Sequence, residues 1–202
     1  MIDLAVPGLS TVAVPESDEA GRARFRVLLQ EWLPDISTER LDLLSEGITA
    51  FRQRLAAGGW IYHGVAGGPA GEAFDVPTHW HYLAAVGPSL PGAAPETLLA
   101  HTLGWSHLPA VTTTPTAPAM GRGLGFHADV RTESVLRGMP LDASELAPTV
   151  GLAAYQSVDD ERQRALLVVG ISLLPGTTAA MAVLAEQMAL HSTFRDDEPG
   201  GT

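Results

Sequence analysis

The chain has no cysteine, which removes thiol nucleophiles, thiolate metal sites and disulfides together. Lysine is absent as well, and all 12 basic residues are arginine. Schiff-base chemistry, a pyridoxal phosphate anchor and the lysine of a P-loop are excluded with it. Basic charge is scarce beside acidic, 12 residues against 23, for a net charge of −11. That sign opposes nucleic acids and anionic membranes, whose surfaces select for basic patches. The opening residues, MIDLAVPGLS, lack a basic n-region and an apolar h-region. No signal peptide is expected, and the expected location is the cytoplasm.

What is present suits one globular domain: 202 residues, 46% of them hydrophobic. A chain of that length buries about 70% of its unfolded surface. A long uncharged run, Ala165 to Ala185, is long enough on hydropathy alone to cross a bilayer. Its internal punctuation predicts something else. Leu166 to Ile171 is a β-branched-rich strand pattern, Pro175-Gly176 is a turn, and Thr177 or Thr178 caps a helix carrying Met181, Leu184 and Met188 at helical spacing. A buried strand, a tight turn and a packed helix are expected, with no membrane span.

Residues 1–16 read as an extended arm with an edge strand over Ser10 to Val14, 17–194 as a single domain, and 195–202 as a polar tail. Ser17 caps a helix to Leu33, whose Phe25, Leu28, Leu29 and Trp32 form one face. Ser37 caps a second helix to Ala57, stopped by Gly58-Gly59. Its Leu41, Leu44, Ile48, Phe51 and Leu55 recur by threes and fours, a seam that either packs on the sheet or pairs with a partner chain. Strands follow at Trp60 to Ala66 and His81 to Val86, then a short helix over Glu96 to Leu103. Pro109 to Pro118 is a linker or a proline-bearing edge strand. Leu124, Phe126, Ala128 and Val130 alternate with polar residues as a half-buried strand, and Thr149 to Val158 pairs with Arg164 to Leu174. Short turns between strands imply an α+β fold: an antiparallel sheet covered by helices.

Chemistry-bearing residues are sparse. His79 and His81 share one strand face, and His127 with Asp129 forms a second such pair. Both spacings suit a metal, and neither belongs to a larger ligand signature. Gly121-Arg122-Gly123-Leu124-Gly125 departs from the dinucleotide spacing and opens a strand where a phosphate loop opens a helix. Trp80 and Trp105, in loop-rich surroundings, offer large area and one donor each, as recognition residues do.

The succession of a helix, Gly-Gly, GWIYHGVAGG, GRGLGFHADVR and APTVGLAAYQSV followed by ALLVVGISLLPGTTAAMAVLAEQMAL resembles a set of small actinobacterial proteins. These are similar to the PsbP-like α/β/α sandwich of photosystem extrinsic proteins and the Ran-binding Mog protein. The resemblance spans Ser37 to Phe194 and carries no catalytic signature. It implies a helix-covered antiparallel sheet in a protein that binds other proteins, accessory to a specialised secretion system. The expected function is thus a non-catalytic interaction module, chaperone-like or immunity-like, with a basic protein partner and no cofactor or metal. Its contact residues are Leu41, Leu44, Ile48, Phe51, Leu55, Trp80 and Trp105. The alternative is a small metal-assisted hydrolase using His79, His81 and His127/Asp129.

Overall fold

Consecutive strand patterns joined by short turns pair as antiparallel neighbours, and the computed structural model shows this pairing throughout. It describes residues 2–5, 10–13, 18–68, 78–89, 94–103, 113–132 and 149–195. The elements are β1 (Ile2–Asp3), β2 (Ser10–Ala13), α1 (Asp18–Trp32), α2 (Thr38–Ala57), β3 (Trp60–Gly68), β4 (Thr78–Pro88) and α3 (Pro95–Thr102). β5 (Thr114–Thr116), β6 (Arg122–Arg131), β7 (Thr149–Asp159), β8 (Arg164–Ser172), α4 (Thr178–His191) and β9 (Thr193–Phe194) complete them. Seven strands form one sheet in the order β2-β3-β4-β8-β7-β6-β5, every pair antiparallel. β1 and β9 form a second, two-stranded sheet, joined further by the Arg195–Asp3 ion pair at 2.7 Å.

Residue parity sorts the apolar side chains onto two faces. Tyr82, Ala84, Ala153, Tyr155, Leu166 and Val168 face α4, which meets them with Met181, Ala182, Ala185, Met188 and Ala189. Leu83, Leu152, Ala154, Leu167 and Val169 lie on the opposite face with Leu55 of α2 and Leu99 of α3. The sheet is covered on both sides, so its central strand β8 is buried from Ala165 through Ser172 and reads as a continuous apolar run. Burial also raises the pKa of the Tyr155 hydroxyl, pushed up to about 12 with help from the charge of Glu186.

The uncharged run resolves as the sequence predicts: strand β8, a turn with Gly176 at φ +94°, then α4. At 14 residues, α4 is about 21 Å long. Among the described residues no helix is long and apolar enough to cross a membrane. The Pro109 to Pro118 segment holds an edge strand: Pro115 pairs with Leu124 at the rim of the sheet, where a missing N–H is tolerated.

Candidate interaction surface and the buried histidine pair

The helical seam of α2 is divided between core and surface. Leu41 and Leu55 are 2% and 1% exposed, and Ile48 and Phe51 are half-buried against the core. Leu44, the remaining member, is 43% exposed. α2 starts with the Ser37 side chain accepting the Arg40 backbone N–H at 3.4 Å. Beside it, α1 turns Phe25, Leu28 and Leu29 inward. The two helices are tied by the Arg26–Asp42 ion pair and by Arg52, which lies over the Phe25 ring at 5.3 Å and presses against Gly21. Any side chain at Gly21 would meet that guanidinium.

The outer faces of the hairpin have a different character. Val27 of α1 and Leu43 of α2 are 60% and 62% exposed, each about half a helical turn away from its own buried stripe. Leu33, at the end of α1, is exposed as well. Ala20 and Ala23 continue the outer stripe of α1, and Gly47, Ala50 and Ala57 that of α2, all exposed. Charge is balanced here: residues 18–57 hold six arginines against seven carboxylates, a net of −1, so the rest of the chain carries −10.

Beneath the hairpin lies a group that sequence reasoning did not single out. His63 on β3 is fully buried, and its Nε2 lies 2.9 Å from Nδ1 of His81 on β4. The two imidazoles lie edge to edge and nearly coplanar, centroids 5.3 Å apart with 7° between their planes; Phe25 stacks on His63 at 5.8 Å and Phe51 meets both imidazoles edge-on. Across this contact one nitrogen donates and the other accepts, so the pair is held as a hydrogen bond inside an aromatic box. With His63 closed to solvent, the group is placed to join the helices to the sheet.

The remaining expected site residues do not converge. Trp80 is 8% exposed on the α4 face and donates its indole N–H to the Thr177 hydroxyl at 3.0 Å. Trp105 and the side chain of His79 lie outside the described residues. His127 and Asp129 share the α4 face of β6, where Asp129 accepts from the Thr178 hydroxyl at 2.5 Å. His81 sits on the opposite face of the sheet, three strand spacings away, or about 14 Å. A hydrolase centre shared by His81 with His127 and Asp129 is therefore not assembled. Among the described residues no three histidine, aspartate or glutamate side chains are grouped to hold a metal ion.

The Gly121–Gly125 segment has a packing role. A Cβ at Gly123 would strike Thr116 and Pro118, one at Gly125 the Tyr155 ring, and Arg122 pairs with Asp160 at 2.8 Å. Two open concavities of about 420 Å³ flank the β7–β8 turn. One of them is lined by Asp159, Asp160 and Glu161, of which Asp159 and Asp160 are engaged by Arg162 and Arg122.

Fold and surface thus define an α+β sandwich with an outward-facing helical hairpin and, among the described residues, no convergent polar cleft. No family model, curated protein or solved structure matches the chain.

Proposed function

We propose that this chain is a non-catalytic protein-interaction module whose docking surface is the outer face of the α1–α2 hairpin. The observation that carries this reading is the exposure of Val27 and Leu43 on one outward surface while Leu41 and Leu55 of the α2 seam are turned inward. Large aliphatic side chains more than half exposed lose free energy to hydration that a partner's surface recovers, about 25 cal/mol per Å² covered. Most of the acidic charge lies outside residues 18–57, so this face selects its partner by apolar fit more than by attraction to a basic surface. An accessory role in a specialised secretion system is supported by the resemblance in element order, as is the PsbP-like character of the sandwich. A cytoplasmic setting is supported by the absence of cysteine.

The test is to purify tagged protein from its native host and compare it with the Leu43→Glu and Val27→Glu variants. A stoichiometric protein, either a different chain or untagged copies of this one, is expected with the parent. It should be lost from both variants while their circular dichroism and melting temperature are retained. No associated chain in the parent, or equal recovery from all three, would overturn the proposal.

A further inference from the structure

The two glycines of the hairpin helices differ in one respect. A Cβ at Gly21 would collide with Arg52, whereas a Cβ at Gly47 would meet nothing within 4 Å. Gly47 sits in the middle of a 20-residue helix, where glycine weakens the helix relative to alanine. The described fold gives it no packing reason. A glycine on an exposed helix face does permit another helix to approach its backbone closely.

We infer that the occupant of this face is a second copy of the same chain, docked hairpin on hairpin about a two-fold axis. The inference rests on the interaction surface proposed above and names its partner. Three observations favour a second copy over a different protein.

The first is register. Arg26 meets Asp42 and Gly21 meets Arg52 within one chain, so the level between Ala23 and Arg24 on α1 lies beside that between Glu46 and Gly47 on α2. A two-fold axis crossing both helices at that level stacks α1 and α2 antiparallel on their own copies. Val27 then comes opposite Ala20 of the second copy, while Leu43 comes opposite Ala50. Each large exposed side chain faces a small exposed one on both helices at once, although the α1 and α2 stripes are unrelated in sequence.

The second is charge. The same axis places Glu39, near the start of α2, opposite Arg54 near its end, and symmetry makes that pairing twice. Both residues are exposed, and Arg54 has a further contact within its own chain. The hairpin is also a surface on which two chains of net charge −11 meet with little repulsion, because residues 18–57 carry only −1 of it.

The third is extent. Helices of 15 and 20 residues, each about 10 Å across, cover about 500 Å² per copy, or about 1,000 Å² in total. That area suits a specific interface at the small end of the range.

Sedimentation equilibrium of the full chain over roughly a hundredfold concentration range should show a monomer–dimer equilibrium. Leu43→Glu and Val27→Glu should each weaken it at least tenfold. Gly47→Ala separates the interface from the fold: it should raise the melting temperature of dilute protein yet weaken dimerisation. Glu39→Arg and Arg54→Glu should each weaken association, and the double variant should restore it, because the pair is self-complementary. A parent that stays monomeric, or a dimer indifferent to all these changes, overturns the inference. If the parent is monomeric and Leu43→Glu still loses a different bound protein, the second copy is refuted and the interaction surface stands. If the parent is monomeric and nothing binds, both fall.

Discussion

His63 shows what one residue's environment decides. Beside Gly64 and Val65 it reads as a polar interruption in an apolar strand, yet it is among the largest fully buried side chains. The sequence pairs His81 with His79 by strand parity; the structure pairs it with His63, because Val65 lies opposite His81 in the β3–β4 register. That register depends on the course of a long Gly/Pro-rich connection, which periodicity does not reveal. Thr177 is a similar case. It is the N-cap of α4, but its side chain makes no cap bond. The hydroxyl instead accepts from Trp80 and contacts Ser172 at 2.8 Å and the Leu174 carbonyl at 3.0 Å. Each hydroxyl has one proton to give, so Ser172 donating to Thr177 and Thr177 to Leu174 satisfies this chain of bonds. Asp159 supports a prediction at the same scale. Burial raises its pKa, but bonds from the Arg162 backbone and guanidinium, the charge of Arg162 and the Glu161 N–H outweigh this and hold it below the usual carboxylate range. A depressed folded value means fewer protons bound in the folded state, so its stabilisation is present above the unfolded value and lost as pH falls through the folded one. In acid titrations followed by circular dichroism, the parent should lose stability below about pH 4. Asp159→Asn should be less stable at neutral pH and show a shallower acid limb; parallel curves would count against the assignment.

At the scale of elements, the sequence was most legible where one face of an element is buried. The alternation of Leu124, Phe126, Ala128 and Val130 predicts β6, whose burial follows it. The Leu166 to Ile171 run and Pro175-Gly176 predict β8 and its turn. Legibility fell where an element is too short to have a period. β1 has two residues and pairs with β9 at the other end of the described chain, a contact no local pattern encodes. For the α2 seam, spacing predicts a stripe correctly but is silent on what covers it. Packing places Leu41 and Leu55 in the core, and the outward face is visible only once the inward one is known. α4 is nearly uniform in hydrophobicity, so its orientation comes from volume: Ala182, Ala185 and Ala189 let it lie close to the sheet, while Met181 and Met188 fill the gaps. Met181 is fully buried, accepts the Tyr82 hydroxyl on its carbonyl at 3.2 Å and packs on Gly170. Met181→Ala should therefore destabilise the protein by about 2–5 kcal/mol in chemical denaturation, while Val183→Ala, on the exposed side of the same helix, should change it by less than about 0.5 kcal/mol. Equal effects would mean that α4 is rotated from the orientation described.

The whole molecule is governed by its uneven charge. With −10 outside the hairpin and −1 within it, two copies repel at long range and meet with little repulsion at the α1–α2 surface. The repulsion acts over many ångströms of solvent, where a Debye length of about 10 Å at 0.1 M salt screens it strongly. The apolar contacts of Val27 and Leu43 act at van der Waals range and are strengthened, if anything, by excluded salts. The two-fold pairs of Glu39 with Arg54 work in the opposite direction, since salt weakens attraction between exposed charges, but such pairs contribute only about 0.2–1 kcal/mol each. Repulsion summed over the full charge should outweigh them. Dimerisation is therefore expected to tighten as salt rises from about 0.02 to 0.3 M, and to tighten again as pH falls toward the isoelectric point near 4.9. Association with a basic protein through the acidic remainder has the reverse signature, because screening then removes attraction. Sedimentation equilibrium across the salt series separates the two. A dimer that strengthens with salt fits contact through a near-neutral surface such as the hairpin, whereas one that dissolves as salt is added would place it among the carboxylates and move the interface off α1 and α2.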